Sequence, residues 1–388
     1  MLRNVVLLTV LLCEAAVVLV GAGQRDINGV WPGRDPGTAG PLPIRRLGQF
    51  GYVNREGAVV VSPQFEEAGF FYEGLAAVRR GGLWGYIDPS GVTVIPFQFT
   101  HADRFSDGLA NVRWKQAGGG SDPSGYIDRT GRIAIKCDGE DGNIRMTPQR
   151  CQAMFSGGFV MTDVEVFRCA DEPGNPKQYP CKGQWINRIG AYDKTGRLAI
   201  PGPFWSAGAV SRFVEGLAGV QVFGTEQKGF IDSSGHWVIN PQFDQVTAFN
   251  DGLAAVRTGP GGWGFINKRG DFVIPPQFVR ASGFSDGLAA VSLDGKQMGY
   301  IDHSGKFVIS PRFAEAGPFS EGLAPVCCDE NRVRYIDAKG NWAFELRVVG
   351  NVWNGAFIDG VALVELEQFL LGYIDKTGRL IARYGDSK

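Results

Sequence analysis

One tetrad constrains this chain more than anything else in it: Asp or Asn, two variable positions, then Gly, recurring nine times. The glycines are Gly57, Gly91, Gly131, Gly196, Gly235, Gly270, Gly305, Gly340 and Gly378. Three residues before each stands Asn54, Asp88, Asp128, Asp193, Asp232, Asn267, Asp302, Asp337 or Asp375. Positions that stay fixed while their neighbours diverge answer to backbone geometry. A short carboxylate or amide closes an Asx turn, and glycine takes the positive φ of a hairpin loop ending in a bulge. Asp88 with Gly91, Asp128 with Gly131, Asp232 with Gly235 and Asp302 with Gly305 are thus turn residues of repeated β-hairpins.

The hairpin sits in a longer period. A Gly-aromatic-Ile segment or its equivalent leads each copy, at Gly51, Gly85, Gly125, Gly190, Gly229, Gly264, Gly299, Arg334 and Gly372, with spacings of 34, 40, 65, 39, 35, 35, 35 and 38. Val-Ile-Pro follows the turn, as in Phe272-Val273-Ile274-Pro275, and the proline is expected to end the ladder because it has no N–H to give. Next comes Phe-x-Asp/Glu-Gly-Leu-Ala-x-Val, whose phenylalanine recurs at Phe71, Phe105, Phe155, Phe213, Phe249, Phe284, Phe319 and Phe357 and predicts a core ladder. Self-similarity at this period means stacked units, each too small to bury its own apolar faces. The expected fold is all-β: a tandem array of about eight and a half three-stranded meanders of about 35 residues, open and curved, with a closed propeller-like ring as the alternative.

Composition agrees. With 56 Gly and 21 Pro in 388 residues the chain is too rich in turn formers to be helical, and its Phe, Val and Ile content excludes disorder. A net charge of -1 supplies no global field for nucleic acid, so no nucleic-acid partner is expected.

The segment Lys/Trp-Gly-Tyr-Ile-Asp-x-x-Gly-x-x-Val-Ile-Pro-x-x-Phe followed by Phe-x-x-Gly-Leu-Ala-x-Val resembles the WG repeat, also called the KWG repeat, over residues 50 to 388. Tryptophan precedes the lead glycine only at Trp84 and Trp263; Phe50, Ser124, Ile189, Lys228, Met298, Val333 and Leu371 stand elsewhere. The resemblance implies repeat architecture and no shared catalytic role.

Three departures give the chain its individuality. Residues 1–23 read as a signal peptide, with Arg3 ahead of the apolar run Val5 to Cys13 and small residues at Gly21-Ala22-Gly23; an uncleaved membrane anchor is the rival. Residues 24–49 form an N-terminal lead or cap. The interval from Gly125 to Gly190 holds a Cys-rich insertion at about 137–184. In an oxidising compartment Cys169 with Cys181 and Cys137 with Cys151 are the expected disulfides, among three possible pairings. Cys327 and Cys328 are adjacent, where a bridge would be strained.

Candidate chemistry reduces to structure. His101, His236 and His303 have no repeated acidic or hydroxyl partner. Gly259, Gly261 and Gly264 spell Gly-x-Gly-x-x-Gly, but the last glycine opens another strand rather than a helix. Asp138, Glu140, Asp141 and Asn143 are rich in oxygen but lack calcium-loop order. Trp114, Trp205, Trp237, Trp342 and Trp353 could form a sugar-stacking stripe, or pack. No catalytic residue, metal or cofactor is expected. The expectation is a secreted or periplasmic, non-catalytic binding or scaffold protein for an unidentified protein or envelope glycan. The alternatives are an enzyme with a pocket in the Cys-rich insertion and a purely structural envelope component.

Overall fold

The computed structural model describes residues 40–384, apart from 120, 138–139, 142–143, 146–153, 170–182, 207–211, 223–224, 328–331, 348–354 and 368–369. The expected signal peptide and most of the expected N-terminal lead, residues 1–39, therefore lie outside the described residues.

Among the described residues, nine antiparallel three-stranded meanders follow one another. The sixth shows the plan: Ala254–Arg257, Trp263–Ile266 and Phe272–Phe278 pair in chain order. The Leu-Ala-x-Val strand thus belongs to the sheet of the hairpin that follows it, one strand out of phase with the unit read from the sequence. A two-residue strand from the preceding connection, Gln245–Val246, adds a fourth edge. In the second and fourth meanders the last strand, Thr93–Ala102 or Leu198–Ser206, runs on into the next sheet and joins two units. The stretch expected as a lead segment supplies the first strand of the first meander, Leu42–Arg46, paired with Gln49–Val53.

Both faces of each sheet are covered. Ala254, Val256 and Ile266 pack on Phe230, Ile239 and Phe243 of the unit before, while Ala255, Phe265 and Ile274 pack on Ala289, Val291 and Ile301 of the unit after. This is why Leu-Ala-Ala-Val is apolar throughout instead of alternating. The phenylalanine ladder lies in these seams. All eight members are buried, and they meet the hairpin aromatics at close range: Tyr52–Phe71, Tyr86–Phe105, Phe265–Phe284 and Tyr300–Phe319 have ring centroids 4.8–5.0 Å apart. The buried phenols donate to loop carbonyls, Tyr52 to Gly69, Tyr86 to Asp103, Tyr300 to Gly317 and Tyr335 to Gly355, at 2.7–2.8 Å. Where Phe230 and Phe265 replace tyrosine, the residue at the acceptor position is Thr247 or Ser282, whose hydroxyl accepts from the N–H of Ala255 or Ala290.

The proline does not end the ladder. Phe272–Phe278 runs through Pro275 and Pro276, but its register slips: Phe265 opposes Ile274 and Trp263 opposes Phe278. The missing N–H is accommodated by bulging the strand towards its partner. The bulge lies against the lead glycine. A Cβ on Gly264 would stand 2.7 Å from the Ile274 carbonyl oxygen and 2.7 Å from the Pro276 nitrogen, and Gly51, Gly85, Gly125, Gly229 and Gly299 meet equivalent backbone atoms at 2.4–2.7 Å. The eighth unit acts as an internal control. It has Arg334 for glycine and no proline in Trp342–Arg347, and its ladder runs unbroken from Tyr335–Phe344 to Arg332–Arg347.

The turn glycine does two jobs. Gly91, Gly131, Gly235, Gly270 and Gly305 have φ of 81–88°, and each lies against the aliphatic residue of the preceding unit's last strand: Val61, Ile95, Ile200, Ile239 and Ile274. Gly57 of the first unit makes the corresponding approach to the last unit, its Cβ position falling 2.7 Å from the Ile381 carbonyl oxygen. The Arg45 N–H donates to the Tyr384 carbonyl (2.6 Å), the Tyr373 phenol to the Pro43 carbonyl (2.9 Å), and Leu42, Ile44 and Val53 share one cluster with Val361 and Tyr373. The two ends are therefore joined. Of the two arrangements open to the sequence, this contact set is that of the closed ring, and the preference for an open array is set aside because the first and last edges cover each other.

Candidate binding face

An antiparallel meander has two ends. One carries the Asp-x-x-Gly turns and the Phe-x-Asp/Glu-Gly-Leu turns; the other carries the hairpin loops between the first and second strands.

The first end is constant and internally satisfied. At every described Asx turn the carboxylate or amide oxygen accepts two backbone N–H groups: Asp88 from Ser90 (2.9 Å) and Val92 (3.0 Å), Asp128 from Thr130 (2.9 Å) and Arg132 (3.1 Å), Asp232 from Ser234 (2.8 Å) and His236 (3.0 Å), Asp302 from Ser304 (2.9 Å) and Lys306 (3.1 Å). Gly91, Gly131, Gly235 and Gly305 close the same turns onto the aspartate carbonyls. Hydrogen bonds from the Ser90 and Thr130 hydroxyls, with the backbone donors, hold Asp88 and Asp128 below the usual carboxylate range. At Asp375 burial works upward, but donors from Thr377 and Arg379 overrule it and hold the carboxyl at about 2.

The neighbouring turns place an acid at positive φ ahead of glycine, for example Asp251 at 52° and Gly252 at 80°. Non-glycine residues adopt that region at a cost, met here by a hydrogen bond to the next unit. Glu73 accepts from the N–H of Gly108 (3.0 Å), Asp107 from Gly158 (2.7 Å), Asp251 from Gly287 (2.8 Å), Asp286 from Gly322 (3.0 Å) and Glu321 from Gly360 (2.9 Å). Cations on the Asx turns reach back to the same acids, Lys268 to Glu215 and Lys376 to Glu321, and Arg55 of the first unit to Asp359 of the last. The chain of carboxylates is a girdle between units.

The second end varies. The number of residues between the first strand and the second runs from two, at Leu47–Gly48 and Gly81–Gly82, through five between Arg257 and Trp263 and nine between Trp114 and Ser124, to thirteen between Cys169 and Gly183. In the fourth unit the paired strands Phe159–Cys169 and Gly183–Asp193 run for eleven residues each, against four to six in the first strands of units three and five to eight, and Ile144–Arg145 pairs onto them. Five extra residues at about 3.3 Å each carry this hairpin roughly 17 Å beyond its neighbours.

The nine-fold turn, the glycine under the proline bulge and the phenylalanine seam coincide with a known pattern. The WG-containing repeat matches residues 50–84, 84–113, 229–259, 263–296 and 298–331. The chain belongs to the WG-repeat family. No curated protein matches the sequence. Solved structures similar to this WG-repeat array include the computationally designed Ika8 protein, at 12% identity and TM-score 0.41 over 82% of this chain and 94% of that one. BamB from Moraxella catarrhalis is similar at 14% identity and TM-score 0.35 over 80% and 91%. The WD40 β-propeller domain of Doa1 is similar at 11% identity and TM-score 0.32 over 58% and 78%. Likenesses of this degree leave the assignment resting on the repeat.

The remaining predicted residues fall as follows. Cys137 is buried beside Leu109, Tyr126 and Phe155. Cys169 ends its strand opposite Gly183. Cys151, Cys181 and Cys328 lie outside the described residues, as do Asp138, Asn143 and Trp353. Cys327 is half-buried at the end of Leu323–Cys327. His101 lies 3.1 Å from Asp103, His236 3.9 Å from Asp232, and His303 stacks on Phe284 at 4.4 Å. No cluster of three His, Cys, Asp or Glu residues suited to a metal occurs among the described residues. Gly259–Gly261 forms a single 3-10 turn in a hairpin loop, and Trp263–Ile266 follows as a strand. Trp237 and Trp342 share one repeat position with Phe272 and Phe307, and each of the last three caps a seam by meeting the preceding unit's phenylalanine. What sequence reading missed is a run of cations at one position of strand one. Ile44-Arg45-Arg46, Val78-Arg79-Arg80 and Val112-Arg113 carry it, and aligning units by strand instead of by turn would have displayed it.

Proposed function

We propose that the WG-repeat array is a non-catalytic binding module of the cell envelope or the secreted fraction, and that its ligand face is the loop end. One observation carries this reading. The two ends are built from the same repeat, yet one is uniform and its polar groups are taken up within the array, whereas the other varies in length from two residues to thirteen. Insertions in repeat proteins collect on the face used for binding. The export-like segment at Arg3 and Val5 to Cys13, and disulfides pairing Cys169 with Cys181 and Cys137 with Cys151, belong to the same proposal. A protein or an envelope glycan is the ligand class.

The test exchanges ends. Replacing the 115–123 loop by a Gly-Gly hairpin, and separately trimming the fourth-unit hairpin back to the length of its neighbours, abolishes capture of the native partner from envelope extract. Substituting Lys194 and Lys339 on the Asx-turn end leaves capture intact. Capture lost from the Asx-turn end alone, or a turnover that tracks the insertion, overturns the reading.

A further inference from the structure

The loop end is electrically uneven. In the first three units Arg45, Arg46, Arg80, Arg113 and Lys115 gather where strand one ends, and none of them forms an ion pair among the described residues. The carboxylates nearby are already engaged: Glu66 and Glu67 by Arg79 (3.4 and 2.5 Å), Asp122 by the Thr100 hydroxyl (2.7 Å), Asp103 by His101 (3.1 Å). Aromatic rings hold two of the five cations in place of acids. The Arg80 guanidinium lies 5.0 Å from the rings of both Phe65 and Phe97, which belong to adjacent units, and donates to Gln64 at 2.7 Å. Arg45 lies 5.5 Å from the Phe50 ring. An arginine seated on aromatic faces is oriented without being neutralised. Between these cations Leu47 is 98% exposed at the tip of the first hairpin with φ of 51°, a position that suits Asn or Gly far better than leucine. Further round the ring the cations are sparser and more of them are engaged: Lys228 donates to the Asp244 carbonyl, Arg280 pairs with Glu315 and Arg334 with Glu345, while Arg257 and Lys296 stand singly in their units.

We propose that the arc formed by Arg45, Arg46, Arg80, Arg113 and Lys115 docks an extended acidic polypeptide segment that carries apolar side chains among its carboxylates. The proposal rests on the loop end being the ligand face. Oriented guanidinium forks suit carboxylates taken two N–H groups at a time. The apolar tip at Leu47 matches a peptide side chain and has no counterpart on a polyuronide. Cations strung along three units of a ring follow an extended chain, whereas a bilayer presents a plane. Electrostatic complementarity of this kind sets specificity and association rate and weakens with salt.

The experiment titrates the full chain with labelled poly-L-glutamate, polygalacturonate and phosphatidylglycerol vesicles at low and high salt. Saturable binding of polyglutamate is expected, weakened by salt and by at least ten-fold in the variant Arg46→Ala, Arg80→Ala, Arg113→Ala. A variant with lysine at the same three positions keeps most of the affinity, and Arg257→Ala with Lys296→Ala in later units stays within two-fold of the original chain. Amide exchange of the three units confirms that the alanine variant is folded. Tighter binding of polygalacturonate or vesicles, no polyglutamate binding, or an alanine variant that binds as well as the original overturns the proposal. If polyglutamate fails while loop-end trimming still abolishes capture of the native partner, the acidic ligand is wrong and the loop-end reading stands. If trimming has no effect, the loop-end reading itself falls.

Discussion

Substituting alanine for Gly264 tests the physical account of the repeat's lead glycine. The added Cβ would meet three backbone atoms, the Ile274 oxygen and Pro276 nitrogen at 2.7 Å and the Pro275 carbonyl carbon at 3.0 Å. A side chain could swing away from such a contact; a bulged strand held at Ile274 and Phe278 cannot move without losing the Trp263–Phe278 pairing. Forced overpacking costs about 1–3 kcal/mol, and backbone opposition puts Gly264→Ala at the upper end, near 3 kcal/mol. Gly264 has no positive φ, so the penalty is one of space alone. The matched control is Arg334→Ala in the unit without proline or bulge, which is expected to change stability by under about 1 kcal/mol. Urea unfolding of both variants, with amide exchange across 263–278 to localise the loss, gives the comparison. Equal effects at the two positions, or a Gly264→Ala variant as stable as the original, would refute the reasoning.

Other outcomes follow from the same seams. Phe265→Tyr alone is expected to cost about 1–2 kcal/mol, because its hydroxyl meets Ser282 where other units offer a loop carbonyl; adding Ser282→Gly recovers most of that, and additive effects would contradict the exchange. The buried phenols of Tyr52, Tyr86, Tyr300, Tyr335 and Tyr373 are pushed up by burial, so their folded-state values lie above the unfolded one. Their contribution is intact below about pH 10 and is lost as pH rises further, which an alkaline unfolding titration reads directly. Asp375 has the opposite sign. Its folded value of about 2 lies below the usual one, so the stability it gives is present above about pH 4 and disappears as pH falls towards 2, and Asp375→Asn flattens that part of an acid titration.

Much of the fold could be read from single letters. Positive φ at Gly91 and the Asx closure by Asp88 are local demands, written into four consecutive residues. The phenylalanine ladder was legible because a recurring large apolar residue in a repeat has few places to go other than a seam. The lead glycine was legible as a position but not as a mechanism, since the strand that excludes its side chain bulges ten or more residues later, at Ile274 to Pro276. Ring closure was hidden for a related reason: nothing in Leu42–Arg46 resembles Leu-Ala-x-Val except its pattern of burial, and its partner Tyr384 lies at the far end of the chain. The basic arc escaped notice because the overall charge of -1 averages it away.

Closure itself is open to a direct measurement. The Arg45 N–H donates to the Tyr384 carbonyl, so in a ring its amide exchanges as slowly as those within the sheets. Deleting the last strand, Leu380–Arg383, together with the residues after it, should then speed exchange at Arg45 while leaving Phe265 protected. An Arg45 amide that exchanges freely in the full chain, or one that the deletion leaves unchanged, would show that the array is open.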